Sequence, residues 1–158
     1  MSALAWLPPL VEFNDYGGDW SAYLEVVYDF FRKDFISSAP YFRGKPVRLK
    51  RYPILLGKEA TFWHCVTTGA VEDERTPDLR RMERIRWPRP CIENKGALKV
   101  WSELRGSEER VHLWVEEEGY LVVLAIRNGY AVLWTAFLVE QEHQRRKFNR
   151  RFEENRKP

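Results

Sequence analysis

The sequence predicts an α+β fold, on three observations: a helical apolar stripe in the first forty residues, a run of strand-like segments joined by turn signals after residue 97, and a basic amphipathic segment at the end. The first stripe begins at Asp19, well placed as an N-cap, and continues through Trp20, Tyr23, Leu24, Val27, Phe31 and Phe35 at spacings of three and four. That pattern predicts a helix over residues 20 to 36. Pro40, Gly44 and Pro46 mark a loop, and residues 47 to 52 alternate apolar with basic as a short strand closed by Pro53. Residues 59 to 67 are rich in β-formers and predict a second strand, ended by Gly69. Thr76-Pro77-Asp78 reads as a helix start with Thr76 as cap, the helix running to Arg86 and stopping at Trp87-Pro88-Arg89-Pro90.

The second half predicts a four-stranded or slightly larger antiparallel meander, with strands over 98–104, 109–115, 120–127 and 130–139. Asn128-Gly129 joins the last two as a two-residue hairpin loop of type I′, which pairs Arg127 with Tyr130 and sets Val122 opposite Thr135. A basic helix over about 140–155 closes the chain, with Phe148 and Phe152 one turn apart as its anchor. Repeats and low-complexity segments are absent, so residues 1 to 158 read as one domain, a helical and loop part to residue 95 and a sheet with its terminal helix after it.

Composition sets bounds on function. The chain has 158 residues, 44% hydrophobic and 31% charged, which excludes a disordered or collagen-like chain. Two cysteines, Cys65 and Cys91, are too few for a disulfide framework and fit reduced thiols in the cytoplasm. Apolar residues from Ala3 to Val11 are broken by Pro8 and Pro9 without a preceding base, unlike a signal peptide, and the apolar run from Tyr120 to Ile126 is too short to span a bilayer. A soluble protein with no membrane partner is expected.

The net charge of +3 is a cancellation. Residues 1 to 30 hold five acids and no base, whereas residues 43–52, 75–95 and 140–158 carry +5, +4 and +3, leaving −9 for the rest. Gathered in space, the basic segments would form a patch able to neutralise phosphates; on separate sides they would be solvated faces. Trp63, Trp87 and Trp114 are the candidates for stacking on bases, since Trp20, Tyr23, Phe31 and Phe35 belong to the core stripe.

Chemistry-bearing residues are few. His64, in the expected 59–67 strand, is either a core partner or an acid/base group. Arg110, His112 and Trp114 share a strand face that suits a groove. His143, with Arg146 and Lys147 one turn on, forms a phosphate-binding cluster or an ordinary exposed surface. Thr135 is the single hydroxyl between Ala131 and Val139, a core threonine bonded to a carbonyl or a site group facing Leu124, Leu133 and Phe137. With that register, an even-numbered loop over 116–119 puts Leu113 on the threonine face and an odd one puts His112 and Arg110 there. Arg80, Arg81 and Arg84 cluster on one helix, where guanidinium forks suit phosphates or carboxylates, or pair with Glu83 as a solvated stripe. Metal-ligand spacings and a glycine-rich phosphate loop are missing, so no metal or other cofactor is expected. Without metal, RNA remains a feasible substrate, because its 2′-OH is an internal nucleophile.

The runs Phe62-Trp63-His64, Pro77-Asp78-Leu79-Arg80-Arg81-Met82-Glu83-Arg84-Ile85-Arg86-Trp87, Tyr120-Leu121-Val122-Val123-Leu124 and Trp134-Thr135-Ala136-Phe137 resemble the phage- and mobile-element-associated nuclease-like domains of the barnase, EndoU, colicin E5/D and RelE fold group. The resemblance spans roughly residues 40 to 155. It implies helices before a four-stranded antiparallel sheet and a metal-independent endoribonuclease of toxin type that leaves a 2′,3′-cyclic phosphate. It also implies His64 as acid/base, Arg81 and Arg84 as phosphate binders and Thr135 as the hydroxyl of the last strand; Arg80, Arg110, His143, Arg146 and Lys147 are candidate substrate contacts by their own charge and spacing. The implied partners are RNA, tRNA and mRNA among the candidates, and an acidic antitoxin. The alternative is a non-catalytic nucleic-acid- or protein-binding module using the same basic surface.

Overall fold

The computed structural model describes residues 4–71 and 74–156. Helix α1 spans Trp20–Phe35, capped by the Asp19 carboxylate, which accepts from the Ala22 N–H at 3.2 Å. Its apolar stripe buries Tyr23, Val27, Phe31 and Phe35 as the spacing requires. Short strands β1 (Tyr41–Phe42) and β2 (Lys45–Arg48) follow, so the strand expected over 47–52 begins earlier and stops at Arg48.

The strand expected over 59–67 is a helix, α2 (Ala60–Val66). The β-forming composition is overridden because Phe62, Cys65 and Val66, spaced three and four apart, form one buried helical face. Two-residue strands β3 (Thr67–Thr68) and β4 (Thr76–Pro77) pair antiparallel. Thr76 therefore lies in a strand and does not cap; Asp78 caps α3 (Leu79–Glu83), its side chain accepting from the Arg81 N–H at 3.2 Å. The Trp-Pro-Arg-Pro stretch ends nothing by itself. Pro88 opens another helix, α4 (Pro88–Ile92), where a first-turn proline loses no hydrogen bond.

Strands β5 (Lys99–Arg105), β6 (Glu108–Val115), β7 (Tyr120–Ile126) and β8 (Ala131–Leu138) form antiparallel neighbours, and helix α5 (Glu142–Asn155) follows. The sheet has six strands in the order β1-β2-β8-β7-β6-β5, and β2 joins β8 in parallel through Val47–Ala131 and Arg48–Val132. The fold is α+β with a sheet wider than the meander and not wholly antiparallel. Beyond Val132 the outer edge of β8 has no strand partner among the described residues.

Each sheet face carries its own core. Met82, Ile85, Trp87 and Cys91 join the α1 stripe against Val111, Leu113, Val122 and Leu124. On the other face Phe148 of α5 packs with Trp101, Trp114, Leu121 and Val123, and Phe152 lies against them, the anchor its spacing implied. Segments 75–95 and 140–156 thus sit on opposite faces. Arg145 fastens α5 by donating from Nε to the Val139 carbonyl at 2.7 Å; its guanidinium lies where a side chain on Gly119 (φ 66°) would project. No helix among the described residues is long and apolar enough to cross a membrane. Cys65 and Cys91 are free and buried.

The Asn128-Gly129 loop pairs Arg127 with Tyr130 as expected, the Arg127 N–H donating to Tyr130 at 2.8 Å. Gly129 takes φ 87° and Asn128 is not among the positive-φ residues, so the turn is not type I′. The register nevertheless slips further on. Leu124 faces Leu133, but Val123 faces Thr135, so Trp134 is an extra residue in β8. The expected Val122–Thr135 pairing is therefore replaced by Val122–Ala136.

A buried link between α1 and the preceding segment is the Tyr23 hydroxyl, which donates to the Val11 carbonyl at 2.7 Å. Tyr23→Phe is expected to lower stability by about 1–2 kcal/mol, read from the urea midpoint at unchanged m-value.

Candidate functional site

The bulge decides which side chains meet. With Thr135 moved opposite Val123, and His112 paired to Val123 from the other side, Thr135, His112 and Arg110 come to one face although the 116–119 loop is even-numbered. In a continuous ladder this even-numbered loop would put Leu113 on that face; the bulge breaks the ladder and brings His112 and Arg110 there instead. Thr135 accordingly faces Leu121, Val123 and Phe137 in a cleft, while Leu124 and Leu133 belong to the opposite core. Its hydroxyl makes no hydrogen bond among the described residues, so it is not a carbonyl-bonded core threonine.

This first cleft, about 220 Å³, is lined on its polar side by Arg105, Arg110, His112, Thr135 and Arg151, with Trp134 as an aromatic wall. Arg110 stacks over Trp134, its guanidinium carbon 4.0 Å from the ring centroid, and donates from Nε to Glu108 at 2.7 Å. Glu108 also pairs with Arg127, so one carboxylate serves two guanidinium groups and the trio keeps one positive charge. Arg151 is bidentate on Glu103, both contacts at 2.7 Å, and Glu103 accepts from Trp101 Nε1 at 2.7 Å. His112 is 5% exposed and stacked on Trp101 with centroids 4.9 Å apart. Its Nε2 lies 3.3 Å from Arg151 Nη2, a permanent donor, which assigns the ring proton to Nδ1; that atom is buried without a hydrogen-bond partner. Burial pushes the His112 pKa down to about 4, with Arg151 and Arg105 adding to the effect and Glu103 and the Arg110 backbone opposing it.

A second cleft of about 230 Å³ lies across Trp134, lined by Lys50, Thr61, His64, Leu133 and the same indole. Its geometry follows from how α2 starts. The N–H groups of Ala60 and Thr61, which lack partners within the helix, donate to the carbonyls of Arg51 and Lys50 at 3.1 and 3.0 Å. Thr61 Oγ1 accepts from the Lys50 N–H at 2.7 Å and donates to the Lys50 carbonyl at 3.2 Å. These contacts hold Lys50 beside the first turn of α2, and His64 follows Thr61 three residues on, on the same face. The α2 backbone is braced from below, where Arg81 Nη1 donates to the His64 carbonyl at 2.9 Å.

The residues named from sequence are thus distributed. His64 and Thr135 line neighbouring clefts separated by Trp134. Arg81 lines neither: its side chain is 13% exposed, 3.4 Å from Asp78 and over the Phe137 ring. Arg84 lies against Trp87 and Glu83, and Arg80 pairs with Glu83 at 3.2 Å. His143, Arg146 and Lys147 are exposed on α5, with Arg146 4.0 Å from Glu142. Trp87 and Trp114 are fully buried and unavailable for stacking, and Trp63 donates to the Leu55 carbonyl at 3.0 Å. Sequence reasoning missed Lys50, Arg105, Arg151 and Trp134 as site groups. The basic runs 43–52 and 140–158 contain Lys50 and Arg151, and Trp134 stands in one of the runs that carry the resemblance, but Arg105 had no signal. Among the described residues no cluster of three or more His, Cys, Asp or Glu could hold a metal ion.

A larger cleft, about 460 Å³, lies between α1 and α4 and contains none of the candidate site residues named from sequence. Asp34 lines it, its pKa raised to about 6 by burial against the opposing pull of Arg89 and Arg86. Arg89 is spent on the Asp34 carbonyl, Ser38 and Glu93, which leaves the cleft with a structural network.

Comparison with family models, with curated proteins and with solved structures finds no match to this chain.

The His112 environment makes stability depend on pH. Unfolded, the ring titrates near 6.5; folded, near 4, so as pH falls through this interval the unfolded chain binds the proton first and stability drops. Asp34 has the opposite sign between its ordinary value of 3.8 and about 6. The His112 contribution is therefore isolated by difference: between pH 7 and pH 4 the wild type should lose up to roughly 3 kcal/mol more than His112→Phe in urea titrations.

Proposed function

We propose that this protein is a metal-independent RNA endonuclease. The observation that carries the reading is the Trp134 wall with an imidazole and an ammonium, His64 and Lys50, in one cleft where α2 meets β8. An indole at a cleft wall offers a π-face to an unstacked base, the part of RNA that proteins read most readily. Lys50 is exposed and has no ion pair among the described residues, so its charge is available to a phosphate. The resemblance of the His64 and Trp134-Thr135 runs to metal-independent nuclease-like domains supports the same reading.

In the reaction, His64 takes the proton of the 2′-OH, the 2′-oxygen attacks the adjacent phosphorus, and the bond from phosphorus to the 5′-oxygen breaks. The Lys50 ammonium neutralises charge on the pentacoordinate phosphorus and protonates the departing 5′-oxygen, leaving a 2′,3′-cyclic phosphate. Proton exchange with water resets both groups. Arg81, bonded to the His64 carbonyl, positions α2 and does not meet the phosphate.

A second reading, a non-catalytic RNA-binding module, is favoured by one feature: among the described residues no carboxylate lines either cleft beside Trp134. One experiment separates them. Purified protein incubated with total RNA in EDTA should produce fragments ending in 2′,3′-cyclic phosphate, and His64→Ala should slow this by about 100-fold or more. RNA binding that is salt-sensitive but yields no product, unchanged in His64→Ala, would establish the binding module instead.

A further inference from the structure

The cleft across Trp134 from His64 has no role in that reaction, yet it is equipped for an anion. We propose that it is a second nucleotide subsite, which holds a phosphate of the RNA strand between Arg105, Arg110 and the Thr135 hydroxyl. The proposal rests on the RNA reading of the neighbouring cleft.

Four observations converge. Arg105 is exposed and has no ion pair among the described residues, and the Arg110–Glu108–Arg127 trio carries one unbalanced positive charge, so two positive charges border the cleft. Arg110 spends Nε and Nη2 on Glu108, which leaves the hydrogens of Nη1 for a ligand. The Thr135 hydroxyl is an uncommitted donor on the same wall. His112, nineteen-twentieths buried, brings its ring to the same cleft.

The rest of the cleft is fixed. The Glu103–Arg151 pair is neutral and bidentate and stacks its cation over Phe148 at 5.1 Å, so it forms a rigid wall rather than a free anion clamp.

Position favours a continuous strand over an isolated small anion. Both clefts share Trp134, so a chain laid across that residue meets both. A chain whose base stacks at Trp134 can place the phosphate on one side near His64 and Lys50 and the neighbouring phosphate on the other near Arg105 and Arg110. The bulge makes this possible, since a regular β8 would turn Thr135 into the opposite core.

The test uses 2′-O-methyl oligonucleotides, which lack the nucleophile and cannot be cleaved, titrated into the full chain while the ring resonances of His112 and the indole of Trp134 are followed by NMR. A tetranucleotide should shift both residues saturably. Arg105→Gln, a surface change that spares the fold, should weaken its binding about tenfold and lower the slope of log affinity against log salt by about one. Arg110→Gln should do the same, with circular dichroism to confirm folding. A dinucleotide, too short to fill both clefts, should bind both arginine variants like the wild type.

Absence of a His112 shift at saturation, or unchanged tetranucleotide affinity and salt slope in Arg105→Gln, would overturn the subsite even if RNA is cleaved. A His112 shift that depends on Arg105, in a protein that cleaves nothing, would uphold the subsite while the nuclease reading fails.

Discussion

Both candidate clefts depend on the extra residue in β8. Until Leu133 the strand follows the register set by the Arg127–Tyr130 turn, and after Trp134 it resumes one residue out of step with β7. Strand faces alternate with period two, so a one-residue slip reverses which face each later side chain meets. Leu133 and Ala136 stay with the helix-covered core, while Trp134, Thr135 and Phe137 turn toward α5. Without the bulge, Thr135 would share a face with Leu124 and Leu133, and Trp134 would have no position from which to wall two clefts.

The same edge explains how a small fold frees a strand for function. β2 pairs with β8 over only Val47 and Arg48, and α2 then takes over the edge, its first N–H groups answered by the carbonyls of Lys50 and Arg51. The segment between β2 and α2 is therefore pinned at both ends, which brings a lysine and a histidine fourteen residues apart in sequence to one cleft. On the other side of the sheet, the charge of α5 is partly consumed in structure: Arg145 fastens the helix and Arg151 closes on Glu103. Basic residues that look alike in sequence thus divide into structural ones, including Arg81, Arg89 and Arg151, and accessible ones, including Lys50 and Arg105.

That division marks how far the sequence could be read. The α1 stripe, the four later strands and the Phe148 anchor were legible because each depends on local periodicity: apolar residues three and four apart, or alternating, have one way to reach a core. The α2 segment was misread as a strand because Phe62, Trp63, Cys65 and Val66 satisfy β-propensity, while their helical spacing covers barely two turns. Thr76 was misassigned as a cap since Asp78, two residues later, competes for the same role with a stronger acceptor. Trp114 is lost as a stacking candidate for a different reason: strand position says nothing about which sheet face a helix later covers, and α5 buries Trp114 while Trp63 and Trp134 stay partly exposed.

By itself the sequence determined the α+β class, the position of α1, the strand order from residue 98 onward, the turn pairing Arg127 with Tyr130 and the segregation of charge behind a net +3. Tertiary structure alone decided that α2 is helical, that the basic segments divide between two faces, and that Thr135 joins His112 and Arg110 instead of Leu124. Local patterns are set by bonds and side chains a few residues apart, whereas a bulge, a sheet edge and the pairing of a buried arginine are chosen by the balance of packing and hydrogen bonding among segments distant in the chain.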